Sequence, residues 1–117
     1  LVLALPLTAG TSGLISDARL AHMMPGSVLI NVGRGGIVDE DALVRALRAR
    51  TIRGASLDVF AAEPLPQDSP LWELDHVLVS PHVAAGTDRY DERVVELFTA
   101  NLAAFLRGAP LRNAVAR

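Results

Sequence analysis

The chain has 117 residues, a length suited to one domain, and half of them are hydrophobic, enough to build a core. Aromatic residues are scarce, so that core falls to Leu, Val and Ala; the formal net charge of −2, with acids and bases well mixed, argues against nucleic acid as the main partner. The absence of cysteine excludes disulfides and thiol catalysis, and no stretch approaches the roughly 20 apolar residues of a membrane span, so no membrane partner is expected.

The first ten residues, LVLALPLTAG, carry neither a charged leader nor a cleavage signature, which points away from a secretory signal and towards a cytoplasmic protein. Residues 1–5 read as a buried strand stopped by Pro6, and a strand starting at the first residue suggests a piece of something longer. A loop follows. Ser16 has the hydroxyl to cap a short helix over 17–22 or 17–23, and Pro25-Gly26 signals a turn. Residues 27–32 form a second apolar strand. GRGG at 33–36 breaks the pattern, Asp39 is the expected cap of the next helix, and Glu40 and Asp41 suit its first turn. Leu43 and Leu47 give that helix an apolar stripe ending near Arg50.

Residues 54–59 read as a third strand, with Ala55, Leu57 and Val59 as its larger alternate positions. A proline-rich loop leads to one helical turn at 71–74 and to a fourth strand at 76–80. Thr87 is placed to cap a final long helix, with Val94, Phe98, Leu102 and Phe105 on one face, Leu97 and Leu106 beside them, and RGAP at its end. Four apolar strands separated by helices or long crossovers predict a parallel α/β sheet buried on both faces. Ligands of such sheets bind beyond the carboxyl ends of the strands. Pro6, Arg34, Asp58 with Glu63, and His82 follow the first, second, third and fourth strands in turn.

Taken singly, each of these residues has an ordinary explanation. Arg34 suits a solvated turn, Glu63 an exposed loop, and an isolated histidine is more often structural, as His22 at a helix end and His76 before a strand are read to be. Together they form a chemical set. A histidine titrates near pH ~6.5 and gives or takes a proton under cell conditions, and a neighbouring carboxylate raises its pKa and orients its ring. A guanidinium meets a planar carboxylate with two parallel hydrogen bonds. The set suits reversible reduction of a 2-oxo acid, with the hydride supplied by a nicotinamide cofactor. Hydrolase chemistry is less favoured, because no serine sits in a nucleophile elbow, and a metal site less still, because the histidines lack ligand spacing.

INVGRGGIVDEDAL, GASLDVFAAEPLP and SPLWELDHVLVSPHVAAGT, with LPLTAGTSGLI before them and PLRNAV after, resemble in order the signature segments of the D-isomer-specific 2-hydroxyacid dehydrogenases. The resemblance implies the second half of a Rossmann-type doubly wound parallel sheet over 1–87. Over 88–117 it implies a return helix and tail that pack on a substrate domain. It implies NAD or NADP as cofactor and a small 2-hydroxy or 2-oxo acid of the hydroxypyruvate or glyoxylate kind as substrate.

In that resemblance Arg34 binds the substrate carboxylate and carbonyl, His82 is the general acid/base, both also border the cofactor, and Glu63 pairs with His82. Asp58 holds the nicotinamide carboxamide, Val32 and Gly33 lie beside the ring, and Leu5, Pro6 and Thr11 wall the adenosine. Ala84, Ala85 and Gly86 form a loop of small residues that lets the ring approach. Asn31 is read as serving the strand end, with no chemical role, and Trp72 as a packing residue. The family's G-x-G-x-x-G, whose helix N-terminus holds the pyrophosphate, does not occur in the chain. The expected isolated piece is therefore inactive, exposes residues 1–5 as a sheet edge, and forms a homodimer or associates with the missing half. A corepressor-type module that senses NAD(H) is the alternative from another class.

Overall fold

The computed structural model describes residues 1–115, which fall into two compact units, Leu1–Ala84 and the chain from Ala85 onward. The first unit carries a four-stranded, all-parallel sheet in the order β1-β2-β3-β4: β1 Val2–Leu3, β2 Val28–Asn31, β3 Gly54–Leu57 and β4 Val77–Val79. The expected α/β class is thus present. The short helix α1, Asp17–Ala21, joins β1 to β2, and α2, Glu40–Arg48, joins β2 to β3. The helix α3, Tyr90–Leu106, belongs to the second unit.

The core forms where the apolar face of α2 meets the sheet. Leu29, Leu43, Leu47, Ile52 and Leu71 are at most 1% exposed, and burying each such side chain is worth about 1.5–3 kcal/mol. Asp39 caps α2 as its chemistry predicts, accepting the Ala42 N–H at 3.0 Å. Helix α1 packs on α2 and buries Leu20.

Register then decides what the sheet presents. Leu3 pairs with Asn31, Asn31 with Leu57, and Leu57 with Val79, so all four strands end in one row. The residues that follow those ends in the chain emerge side by side.

Several local expectations are corrected. The strands are shorter than the apolar runs, and Leu5 lies outside β1, 42% exposed. Pro6, next in line, has no N–H to offer a ladder. Ser16 occupies the position before α1 but makes no capping bond with its side chain. Thr87 does not cap α3, which starts three residues later: its Oγ1 accepts the Arg89 N–H at 3.0 Å in a local turn. Trp72 is half exposed, because the 3₁₀ turn Pro70–Glu73 directs Leu71 into the core instead; the indole N–H donates to the Pro66 carbonyl at 2.8 Å. Within the second unit, α3 ends as RGAP predicts, at Gly108 with φ +64°. Asn101 clamps the following segment, accepting the Arg112 N–H at 2.9 Å and donating to its carbonyl at 3.1 Å.

Candidate functional site

The turn after β2 is set by a buried amide. Asn31 is 1% exposed; its Oδ1 accepts the Gly33 N–H and its Nδ2 donates to the Arg34 carbonyl, both at 3.1 Å. Arg34 is extended, and its Nη1 donates to the Gly33 carbonyl at 2.7 Å. The glycines beside it are required by close approach. A Cβ on Gly33 would lie 2.7 Å from the Leu5 carbonyl oxygen, and one on Gly35 would lie 1.9 Å from the Phe60 carbonyl. GRGG therefore lets the Arg34 turn press against the chain leaving β1 on one side and the chain leaving β3 on the other.

The loop after β3 carries Glu63. Its Oε1 accepts the Phe60 N–H at 3.0 Å, while Glu40 of α2 accepts the Ala61 N–H at 3.0 Å. The Glu63–Pro64 peptide bond is cis. Glu63 Oε2 lies 2.7 Å from His82 Nδ1, closing the pair expected from sequence. The His82 hydrogen bond holds the Glu63 carboxyl below its ordinary value, helped by the Phe60 N–H and by the charges of His82 and Arg34. Arg34 thus acts on Glu63 through space, and the two form no ion pair among the described residues.

His82 stands on the turn after β4. Its φ of +56° is left-handed, a conformation that costs a non-glycine residue on the order of 1–2 kcal/mol. Asp58, 4% exposed at the end of β3, holds this turn. Its Oδ1 accepts from Ser80 Oγ at 2.6 Å and from the Val83 N–H at 2.9 Å; its Oδ2 accepts from the Ala84 N–H at 2.8 Å. Burial pushes the Asp58 carboxyl up, but those three donors and the His82 charge outweigh it and leave it below the ordinary range. An ionised Glu63 is an acceptor only, so His82 Nδ1 carries a proton and Nε2 is the nitrogen available to a substrate. The His82 side chain is 43% exposed, consistent with access. A cleft of about 570 Å³ opens beside the pair, lined by Phe60, Leu65, Trp72, Val79 and Pro81, with Glu63 and His82 at its polar end.

The other cofactor residues suggested by sequence follow the ends of β1, β2 and β4 in the chain without joining the pair. Leu5, Pro6, Val32 and Ala84 are exposed, and Thr11 donates to the Pro6 carbonyl at 2.7 Å, shaping the loop after β1. Ala85 is exposed and opens the second unit. His76 bridges Asp75 and the Leu47 carbonyl, and His22 bonds the Ala18 carbonyl, both structural as expected. Sequence reasoning gave Asn31 to the strand end without its hydrogen bonds, and it missed Ser80 as an organiser of the His82 turn. For Asn31 the signal was present, as a lone amide closing the apolar run VLIN. Among the described residues no cluster of side chains could hold a metal ion, and no helix is long and apolar enough to cross a membrane.

Comparison with known proteins yields consistent matches. Residues 1–84 match the family described as D-isomer specific 2-hydroxyacid dehydrogenase, NAD binding domain. The chain is 49% identical over 117 residues to a glyoxylate/hydroxypyruvate reductase B of Pectobacterium carotovorum subsp. carotovorum, covering 98% of this chain and 36% of that protein. It is 47% identical over 103 residues to a glyoxylate reductase of Thermofilum pendens, covering 88% and 30%. Its fold matches a D-isomer specific 2-hydroxyacid dehydrogenase from Xanthobacter autotrophicus Py2 in complex with NADPH and MES, with TM-score 0.91, 45% identity, and coverage of 98% and 47%. It also matches an NADPH-dependent glyoxylate/hydroxypyruvate reductase from Sinorhizobium meliloti in complex with NADP and sulfate, with TM-score 0.89, 37% identity, and coverage of 97% and 37%. The chain thus spans about a third of the length of the curated relatives it matches.

Proposed function

The chain belongs to the D-isomer specific 2-hydroxyacid dehydrogenases, and from that premise we propose that it supplies the proton-transfer and substrate-anchoring groups of an oxidoreductase. The reaction interconverts a small 2-oxo acid of the glyoxylate or hydroxypyruvate kind and its D-2-hydroxy acid. The observation that carries the reading is the 2.7 Å His82–Glu63 pair at the strand ends, with the Arg34 charge acting on the same carboxylate.

NAD or NADP, when bound, supplies or takes the hydride at substrate C2. In reduction, His82 Nε2 gives its proton to the carbonyl oxygen while Glu63 stabilises the imidazolium through Nδ1; in oxidation the same nitrogen takes the proton back. The Arg34 guanidinium binds the substrate carboxylate and polarises the carbonyl. The residues present suit the nicotinamide end of the cofactor. Ala84 and Ala85 are small and exposed, and the Asp58 carboxylate has acceptor capacity left for the carboxamide, whereas the space that buried Gly33 leaves is taken by the Leu5 backbone. Val32 would lie beside the ring and Leu5, Pro6 and Thr11 along the adenosine.

The pyrophosphate cradle is another matter, since G-x-G-x-x-G is absent from the sequence. Activity is accordingly assigned to a longer cytoplasmic protein. There residues 1–87 complete a nucleotide-binding domain, residues 88–117 return to a substrate domain, and two copies associate. In such a protein, His82→Ala should abolish turnover on glyoxylate or hydroxypyruvate while cofactor affinity stays within a few-fold; equal loss of both would remove His82 from proton transfer. Absence of turnover by the intact native protein, with nicotinamide binding retained, would favour the NAD(H)-sensing module instead.

A further inference from the structure

We infer that buried Asp58 and half-buried Ser80 form a positioning pair that holds the His82 turn, a role distinct from any contact of Asp58 with cofactor. The inference deepens the proposed function, since it rests on His82 as the proton-transfer residue. The β3–β4 register pairs Leu57 with Val79, which brings residues 58 and 80 next to one another. Ser80 is fixed to β3 twice, by its N–H to the Leu57 carbonyl at 3.0 Å and by its Oγ to Asp58 Oδ1 at 2.6 Å.

From there the chain must reverse into the left-handed conformation of His82. Pro81 restricts the entry, and the His82 N–H donates back to the Ser80 carbonyl at 3.1 Å. The two N–H groups that follow, of Val83 and Ala84, both end on the Asp58 carboxylate, at 2.9 and 2.8 Å. A histidine does not favour φ > 0 unaided, so the surroundings must impose it. One carboxylate engaging both succeeding amides does so, and the Ser80 hydroxyl fixes the orientation of that carboxylate. The charged groups facing the imidazole are then Glu63 at Nδ1 and Asp58 beneath the turn, with Arg34 acting through Glu63. Without the pair the turn relaxes, and Nε2 leaves its place even though Glu63 and His82 are both intact.

Amide hydrogen exchange of this chain tests the positioning directly. Ser80→Ala and Asp58→Asn should each speed exchange at Val83 and Ala84 by roughly tenfold or more, while amides of β2 and β3 keep their native rates; Ser80→Thr, which retains the hydroxyl, should stay close to native. In the longer dehydrogenase, Ser80→Ala should lower kcat with the KM for cofactor unchanged, and Asp58→Asn should cost on the order of 10²-fold in kcat, the scale expected of a 1 Å misplacement. Ser80→Ala is the decisive variant, because Ser80 takes no part in the proposed cofactor contacts. Native exchange at Val83 and Ala84 in both variants, or uniform acceleration across the sheet, overturns the inference. So does a Ser80→Ala enzyme whose cofactor affinity falls in step with kcat. If exchange follows expectation but the intact native protein turns over no 2-oxo acid, the reaction assignment fails and the positioning stands.

Discussion

Gly35→Ala is the substitution that most directly tests how the Arg34 turn and the Glu63 loop are held together. Gly35 is buried and its φ is not left-handed, so alanine suffers no backbone penalty there; the cost is steric alone. The new Cβ would sit 1.9 Å from the Phe60 carbonyl carbon and oxygen and 2.5 Å from the Ala61 nitrogen. These are backbone atoms and no rotamer change removes them. Ordinary contact lies at about 3.5 Å, so a gap of more than about 1 Å must open between the Arg34 turn and the Glu63 loop.

The start of that loop is tied by Ala61 N–H to Glu40 and, through Phe60 N–H, to Glu63 itself. Any shift therefore carries Glu63 away from His82. Overpacking of this kind costs about 1–3 kcal/mol, equivalent to a melting temperature roughly 5–15 °C lower for a chain of this size. Urea unfolding measures it, with Gly26→Ala as the control: a Cβ on Gly26 meets nothing within 4 Å, and its effect should stay within about 0.5 kcal/mol. In the proposed longer dehydrogenase Gly35→Ala should also lose on the order of 10²-fold in kcat. A native urea midpoint for Gly35→Ala would refute the close-approach argument.

Three further outcomes are expected. Asp58 and Glu63 have folded-state pKa values below their ordinary ones. Their contribution to stability is thus complete above the unfolded pKa of about 4 and is lost as pH falls through the lower folded values; acid unfolding followed by circular dichroism should show that limb, and Asp58→Asn should flatten it. Asn31→Ala should cost about 1–3 kcal/mol in urea unfolding, because it strands the Gly33 N–H and leaves the Arg34 carbonyl with the Ile37 N–H as its one remaining donor; a neutral result would remove Asn31 as organiser of the Arg34 turn. Strand β1 pairs only with β2 among the described residues, with Leu1 55% and Val2 63% exposed, so this chain alone should self-associate in light scattering and Val2→Lys should reduce it; a monodisperse monomer of the native chain contradicts the exposed edge.

The four apolar runs and the turn signals between them were enough to place a parallel α/β sheet, because strand and helix periodicities are local properties of a few adjacent residues. Each strand end was read to within two residues. The caps fared unevenly: Asp39 caps α2, but Ser16 and Thr87 do not cap their helices, since a hydroxyl near a helix start serves whichever N–H the chain path brings to it. Trp72 illustrates the same limit. Its size marks it for the core, yet the phase of a single 3₁₀ turn gives that place to Leu71.

Local sequence also determined which chemistries were on offer: one guanidinium among glycines, one loop carboxylate and one histidine behind a proline, each following a strand. What it left open was how these groups are held. That Leu3, Asn31, Leu57 and Val79 end in one row is a matter of register, and it brings Asp58 beside Ser80 and the Glu63 loop beside the His82 turn, where side-chain hydrogen bonds complete the 2.7 Å pair. The left-handed His82, the buried amide of Asn31 and the pressure of Gly35 on Phe60 depend on contacts between residues more than twenty positions apart or on the turns those contacts impose. Such contacts follow from how the strands pack, which no short stretch of chain encodes by itself.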